Sequence, residues 1–232
     1  MKYFSIFTFM KKICIVLILV ACATVSFAKK SKNTFVELNT TMGKIVVELY
    51  EDVPQHSENF LKLVKENFYD SVLFHRVIPQ FMIQGGDPDS KRAMKGQMLG
   101  NGDVGYKVPA EFVFPKYFHK KGALAAARDG NAEKASSGCQ FYIVVGKTFT
   151  DDILTSMENQ NNIKYTDEMK TVYKTVGGTP HLDNQYTVFG QCVEGQDIVD
   201  AIAVVPCDAS SRPLEDVKII STRILKKWKA KK

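Results

Sequence analysis

The sequence has no Cys-x-x-Cys pair, and its four histidines are scattered without the spacing of a metal site. These absences argue against a structural zinc site and against a thioredoxin-like redox motif. The five cysteines stand at positions 14, 22, 139, 192 and 207. The sequence allows a disulfide between Cys192 and Cys207, but we favour buried, unpaired side chains at positions 139, 192 and 207, because spacing alone never establishes a bridge.

The sequence also lacks an apolar run of the roughly 20 residues that a transmembrane helix needs. Its longest apolar run, Ile13–Ala23, follows Lys11 and Lys12 and leads to Ser26-Phe27-Ala28. A basic flank, a short apolar stretch and small residues before a cleavage point are typical of a signal peptide. We therefore predict that residues 1–28 form a signal peptide and that the mature protein is exported to the periplasm.

A second cleavage pattern overlaps the first. Leu19-Val20-Ala21-Cys22 resembles a bacterial lipobox, which would leave a lipid on Cys22 and anchor the protein to a membrane. The residues after Cys22 continue the apolar stretch and do not begin a polar tether. We therefore favour cleavage after Ala28 and keep the lipoprotein as the alternative.

The net charge of +6 is not gathered into one basic face, since much of it stands at the two ends of the chain. A nucleic-acid reader carries its charge on one face of the folded body, so we predict no nucleic-acid partner. The basic tail 226–232 is interpreted as a solvated end rather than a site for anionic lipid or nucleic acid. Repeats and low-complexity tracts are absent, and 45% apolar residues indicate one folded domain, which we expect to be a monomer.

Alternating apolar residues predict many short strands. Phe35–Tyr50 is typical of a hairpin, and helical spacing is confined to two segments, around Phe60–Phe68 and Ile198–Ile202. Further strands are expected at 72–78, 81–84, 112–114, 123–127, 141–145, 187–193 and 217–225. Many short strands with two core helices favour a mostly β fold, a closed antiparallel barrel capped by two α-helices, because closure removes exposed sheet edges.

Residues 151–178 depart from this pattern. The segment is charged and rich in amides, and Thr166 precedes two acidic residues as a helix cap would. Gly177-Gly178 is suited to ending that helix. We interpret the segment as a helical insertion in the barrel, not as a second domain.

The stretch Phe74–Asp87 reads FHRVIPQFMIQGGD and predicts a strand, a bend at Pro79, a second strand and a Gly-Gly turn. Arg76 stands there among apolar neighbours, where a guanidinium is costly unless it has partners. Gln84 becomes such a partner if the two strands pair. The same stretch is compatible with an arginine in a salt bridge at the barrel rim and with a site for a neutral, rigid ligand.

Two later stretches favour the site. They read GALAAAR followed by SSGCQFYI (122–128 and 136–143) and TPHLDNQYTVFG (179–190). With FHRVIPQFMIQGGD they resemble, in order, the three signature segments of the cyclophilin family of peptidyl-prolyl cis-trans isomerases. The resemblance covers residues 34–225, nearly all of the expected mature chain, and three ordered motifs are far more specific than one.

The resemblance implies an eight-stranded barrel capped by two helices, with a proline-binding groove on its outer face. It places Arg76 on the catalytic arginine and Gln84 on the glutamine that orients it. It also implies substrate-binding roles for Phe81, Met82, Ala127, Arg128, Gln140, Tyr142, His181, Leu182 and Tyr186. Tyr142 stands at a position often held by Phe. His181 stands where many eukaryotic members have Trp, and Tyr186 where the family often has His. The departures at His181 and Tyr186 bear on inhibitor affinity and substrate preference rather than on the reaction.

The implied function is isomerisation of X-Pro bonds in unfolded or flexible polypeptides, without a metal, cofactor or covalent intermediate. One rival is a binding or chaperone module that uses the groove only to hold peptides. Loss of Arg76 would have favoured that rival, but the residue is present. The other rival, a metal-dependent hydrolase using His75, His119, His181 and Asp87, has no metal-ligand spacing to support it.

Overall fold

The computed structural model describes residues 34–228. The predicted signal peptide, Cys22 and the last four residues of the basic tail lie outside the described residues. Within 34–228, no helix is long and apolar enough to cross a lipid bilayer.

Short strands dominate the described chain, as the alternating apolar residues predict. The strands are β1 (Thr34–Thr40), β2 (Gly43–Leu49), β3 (Arg76–Ile78), β4 (Met82–Gly85), β5 (Lys107–Val108), β6 (Ala123–Ala126), β7 (Ser136–Ser137), β8 (Phe141–Val144), β9 (Val188–Glu194) and β10 (Ile219–Leu225). The α-helices are α1 (Pro54–Lys65), α2 (Asp151–Asn161), α3 (Asp167–Thr175) and α4 (Gln196–Ile202). Two 3-10 helices span Pro88–Arg92 and Pro180–Leu182.

Eight strands form one curled antiparallel sheet in the order β10-β1-β2-β9-β6-β8-β4-β3, and β5 pairs with β7 separately. The ladder is open, because the edge strands β3 and β10 do not pair with each other. The chain just before β3 does meet the start of β10, through an antiparallel bridge between Leu73 and Lys218. The expected closed barrel is thus found only as a curled eight-stranded sheet.

The two faces of the sheet carry different side chains because successive residues of a strand point to opposite faces. Leu124, Phe141 and Ile143 face the main core, which helices α1 and α4 complete with residues such as Phe60 and Val199. The two helices predicted around positions 60 and 200 are therefore present and cap this core. The residues that alternate with Leu124, Phe141 and Ile143 along the strands face the other side of the sheet. There Ala125 and Tyr142 belong to a smaller apolar cluster.

Residues 151–178 contain two helices, α2 and α3, rather than the single helix that the capping pattern predicts. Thr150 and Thr166 cap them, with the Thr166 hydroxyl accepting from the Met169 N–H at 3.2 Å. The pair has its own apolar cluster, which includes Leu154, Met169 and Tyr173 and extends to Phe118 and Phe149 outside the segment. We call residues 151–178 the helical excursion.

Two strand predictions are wrong or too long. Residues 112–114 form no strand, since the chain turns at Phe114-Pro115, where proline offers no N–H to a sheet ladder. The strand expected at 72–78 is reduced to Arg76–Ile78 and the bridge at Leu73.

The cysteine alternatives are resolved by the structure. Cys139, Cys192 and Cys207 are free thiols, and the first two are buried. The Cys192 thiol contacts the carbonyl oxygen of Glu194 at 3.4 Å, whereas Cys207 contacts that of Val205 at 3.3 Å. Burial raises the pKa of Cys192 to about 12, so its thiol stays protonated and inert at neutral pH.

Candidate active site

Three neighbouring strands bring the first candidate residues together. In the β3–β4 ladder Arg76 stands opposite Gln84, and in the β4–β8 ladder Gln84 stands opposite Tyr142. The side chains of directly opposed residues lie on the same face, so all three point away from the main core. The strand pairing that the Phe74–Asp87 stretch predicts is therefore confirmed.

A chain of side-chain hydrogen bonds orders the polar part of this face. Arg76 Nη1 donates to Gln84 Oε1 at 3.3 Å, and Gln84 Nε2 donates to Gln140 Oε1 at 3.0 Å. Gln140 Nε2 then donates to the carbonyl oxygens of Gly100 and Gly102 at 2.9 and 2.8 Å. Each amide oxygen accepts and each amide nitrogen donates, so the direction of every hydrogen bond is fixed from the loop that carries Gly100 and Gly102 to the Arg76 guanidinium.

Arg76 joins this chain of hydrogen bonds through Nη1 of its guanidinium. Within residues 34–228, no ion pair includes Arg76, so the interpretation as a salt-bridged rim arginine is wrong for this part of the chain. Its Cζ lies 6.0 Å from the centroid of the Phe81 ring, at the distance of a weak cation–π contact. The side chain is half-buried and keeps donors available to a ligand.

A cavity of about 110 Å³ with polar and apolar walls lies beside Arg76, and we call it the apolar cavity after its six aromatic and aliphatic side chains. Its walls are formed by Arg76, Phe81, Met82, Gln84, Ala127, Arg128, Tyr142, Leu182 and Tyr186. Nine of the eleven candidate residues thus line one small cavity, although they come from four separate stretches of sequence. Burial raises the pKa of Tyr142 well above its usual value, so this wall of the cavity is uncharged at neutral pH.

The two remaining candidates stand next to the cavity. Gln140 lines a larger neighbouring pocket of about 370 Å³, which shares Gln84, Ala127 and Arg128 with the first. His181 is exposed outside the cavity, and its ring stacks on Phe81 at a centroid distance of 5.6 Å. Partial burial of the ring lowers the pKa of His181 below its usual value.

Arg128 is held at the boundary of the two pockets. Its Nε donates to the carbonyl oxygen of Gln185 at 2.9 Å, and its Nη1 donates to that of Asp129 at 3.0 Å. The guanidinium also lies 4.7 Å from the centre of the Tyr186 ring. These contacts hold the side chain along the rim, so its charge does not fill the apolar cavity.

The histidines of the hydrolase hypothesis do not form a metal centre. In the described part of the chain, no group of three or more His, Cys, Asp or Glu side chains is arranged to hold a metal ion. Asp87 instead holds the loop that carries Gly100, since its carboxylate accepts a hydrogen bond from the Gly100 backbone N–H at 2.5 Å. His75 is buried, and burial lowers its pKa to about 4.

Sequence reasoning missed the buried polar residues behind the cavity. His119 and Asp183 contact each other and connect Tyr142 to Tyr173 of the helical excursion. No sequence pattern links these four residues, because His119 and Asp183 alone stand 64 positions apart.

Comparisons with known proteins show which family the chain belongs to. Residues 35–224 match the family described as cyclophilin type peptidyl-prolyl cis-trans isomerase/CLD. A putative peptidyl-prolyl cis-trans isomerase of Staphylococcus saprophyticus is 35% identical over 190 residues, which cover 81% of this chain and 90% of that protein. The peptidyl-prolyl cis-trans isomerase ppi1 of Schizosaccharomyces pombe is 34% identical over 186 residues, covering 80% and 95%.

Solved structures show the same fold. A cyclophilin type peptidyl-prolyl cis-trans isomerase of Cryptosporidium parvum superposes with a TM-score of 0.61 at 23% sequence identity, covering 84% of this chain and 99% of that one. The same Cryptosporidium protein was also solved in the presence of the dipeptide Ala-Pro, with a TM-score of 0.60. The family match and the curated relatives settle the relationship: the chain belongs to the cyclophilin-type peptidyl-prolyl cis-trans isomerases, a family of isomerase enzymes.

Proposed function

We propose that the protein accelerates rotation about X-Pro bonds of exported polypeptides as they fold, with Arg76 as the catalytic residue and Gln84 orienting it. The observation that carries this proposal is the juxtaposition of an oriented guanidinium and a small apolar cavity on one face of the sheet. The cavity takes the proline ring, and the guanidinium faces the amide that precedes it.

The apolar walls bind proline without acting on its bond. Phe81, Met82 and Leu182 offer hydrophobic contact to a rigid ring that has little conformational entropy to lose on binding. We assign the residues before proline to the larger pocket beside Gln140, which adjoins the cavity at Gln84, Ala127 and Arg128. The Ala-Pro dipeptide used with the Cryptosporidium protein supports proline-containing peptides as the substrate class here.

Catalysis follows from how the proline amide changes as it rotates. Resonance makes the planar bond cost about 18–20 kcal/mol to twist, and free prolyl isomerisation takes about 10–100 s. At the twisted geometry the proline nitrogen becomes pyramidal and recovers a lone pair. A donor of Arg76 aimed at that lone pair binds the transition state more strongly than the planar ground state, which is the condition for acceleration.

This mechanism needs no nucleophile, metal or cofactor. The arginine side chain stays protonated across the physiological range and presents its donors in a fixed planar fork. Gln84 Oε1 accepts a hydrogen bond from Arg76 Nη1, which leaves the other guanidinium nitrogens to the substrate. No bond of the substrate is broken, so no proton needs to be transferred.

We propose further that the enzyme works outside the cytoplasm as a monomer. Export rests on residues 1–28 of the sequence, with a lipid anchor at Cys22 as the alternative. The monomer is expected from the sequence, in which a single domain carries all eleven candidate residues. The expected partners are unfolded or flexible segments that expose proline.

An exchange experiment tests this function. Adding the purified protein in small amounts to an Ala-Pro peptide should produce NMR exchange between the cis and trans resonances within seconds. EDTA should leave the exchange rate unchanged. A protein that shifts the peptide resonances without accelerating exchange would instead be the binding module, and the isomerase proposal would be wrong.

A further inference from the structure

A chain of buried hydrogen bonds runs from the helical excursion to the wall of the apolar cavity. The hydroxyl of Tyr173, on helix α3, lies 2.6 Å from Asp183 Oδ2. Asp183 Oδ1 lies 2.9 Å from His119 Nδ1, and His119 Nε2 lies 2.9 Å from the hydroxyl of Tyr142. The chain therefore ends on an aromatic ring that lines the proposed proline site.

The direction of these hydrogen bonds follows from the acceptor-only chemistry of a carboxylate. Asp183 accepts from the Tyr173 hydroxyl, from the His119 backbone N–H at 2.9 Å and from His119 Nδ1–H. The hydrogen bonds around His119 favour a proton on Nδ1, which faces Asp183, and a lone pair on Nε2, which faces Tyr142. The Tyr142 hydroxyl then donates to His119.

Burial makes this arrangement rigid. Tyr142 is 4% exposed, His119 and Asp183 are each 1% exposed, and Tyr173 is fully buried. A polar group buried this deeply is costly to leave without a partner, so each member holds the next in place. Removing one hydroxyl at the far end therefore changes how the other end is held.

A second contact joins the excursion to the same wall. Tyr165 donates its hydroxyl to the carbonyl oxygen of Pro180 at 3.1 Å. Pro180 opens the 3-10 helix that ends at Leu182, and Leu182 lines the cavity. The excursion thus supports the cavity at two points, through Tyr142 and through the helix that carries Leu182.

We infer that the helical excursion is a positioning element of the proline site, and that Tyr173, Asp183 and His119 set the orientation of the Tyr142 ring. The inference rests on the proposed function, because it assigns the Tyr142 ring to the substrate proline. Tyr173, Asp183 and His119 touch no substrate and are positioning residues. Their effect is on the affinity for the peptide rather than on the rotation that Arg76 promotes.

A double-mutant cycle tests the inference. Tyr173→Phe should raise the Kd for an Ala-Pro peptide roughly fivefold, as expected for the loss of one ordinary hydrogen bond. In a Tyr142→Phe background the same change should have no further effect, because the hydroxyl through which Tyr173 acts is already missing. Within each background, Tyr173→Phe should change the peptide exchange rate at saturation by less than about twofold relative to that background.

A second variant breaks the chain nearer the cavity in case Tyr173→Phe fails to fold. His119→Asn keeps a donor toward Asp183 and removes the acceptor for Tyr142, so it should give the same rise in Kd and the same dependence on Tyr142. Tyr69→Phe is the matched control. It removes a buried hydroxyl that donates to the Cys139 carbonyl oxygen at 3.2 Å, and it should lower stability without changing Kd.

The outcomes separate the two claims. Wild-type protein that does not accelerate exchange contradicts the proposed function. Wild-type protein that does accelerate exchange, combined with a folded Tyr173→Phe variant of unchanged Kd, contradicts the positioning role alone. Equal rises in Kd with and without the Tyr142 hydroxyl would also overturn it, since the effect would then be a general structural one.

Discussion

At the residue scale, the proposed mechanism assigns binding and catalysis to different side chains. Phe81 forms part of the cavity wall, supports the Arg76 guanidinium from 6.0 Å and stacks on His181. In the proposed mechanism, Arg76 instead presents donors whose best acceptor exists only in the twisted amide. Substitutions at these two positions should therefore change different kinetic constants.

Phe81→Ala should weaken peptide binding by about tenfold and lower the exchange rate at saturation less, because the ring contacts proline in ground and transition states alike. The Kd and the saturated exchange rate, both from NMR, check this prediction. Phe112→Ala is the matched control, since it removes a partly exposed phenylalanine that does not line the cavity. A Phe81→Ala variant with an unchanged Kd would exclude the cavity as the proline site.

His75 predicts a pH dependence of stability. Burial lowers its pKa to about 4, below the roughly 6.5 of an unfolded histidine. Between these values the unfolded state binds more protons, so this group destabilises the fold as the pH falls from about 6.5 to about 4. The full effect of this shift is on the order of 3 kcal/mol.

Urea unfolding at pH 7.5 and pH 4.5 measures that effect. The wild-type protein should lose stability between the two pH values, and His75→Asn should lose clearly less. The comparison concerns the pH-dependent loss in each protein, so a lower stability of the variant at both pH values does not disturb it. Identical losses would show that His75 does not titrate in this window.

At the element scale, the helical excursion leaves and rejoins the sheet at one point. Lys147 and Gly178 exchange both backbone hydrogen bonds, at 3.2 and 3.0 Å, which is the arrangement that a short hairpin requires. The main core under helices α1 and α4 includes no residue from 151–178. The excursion is therefore attached to the sheet without being part of the sheet's own core.

Replacing residues 149–176 with Gly-Gly should leave a folded, less stable protein with weaker peptide binding. Folding should persist because the main core is intact, and stability should fall because Phe118 becomes exposed and Asp183 loses the Tyr173 hydroxyl. Circular dichroism melting and peptide Kd report the two effects. A shortened chain that cannot fold would show that the excursion belongs to the core.

The sequence predicts elements better than it predicts contacts between distant elements. The β1–β2 hairpin and the Arg76–Gln84 pair were predictable because they join neighbouring strands whose register a short turn sets. Two features depend instead on how segments distant in the sequence meet. They are the absence of pairing between β3 and β10 and the absence of a strand at 112–114. The same is true of His119, whose role becomes visible only when its partners are placed around it.

At the scale of the whole molecule, the proposed export rests on residues 1–28 of the sequence. The proposed cleavage after Ala28 would leave a mature chain that begins with lysines. Intact-mass spectrometry of the protein from its native cells should give a chain beginning at Lys29. A mass that includes a diacylglyceryl group on Cys22 would establish the membrane-anchored form instead.

We propose that a fixed guanidinium beside the apolar cavity makes this molecule an isomerase. The most direct measurement compares wild type and Arg76→Ala by NMR exchange on an Ala-Pro peptide, with Arg223→Ala, a surface arginine paired to Glu37, as control. The saturated exchange rate of folded Arg76→Ala should fall by about 10²–10³, by analogy with the loss of an oxyanion-hole donor, while Kd changes little. Arg76→Lys should recover only part of the rate, because an ammonium lacks the planar fork held by Gln84. If Arg76→Ala isomerises the peptide as fast as wild type, the catalytic assignment is wrong.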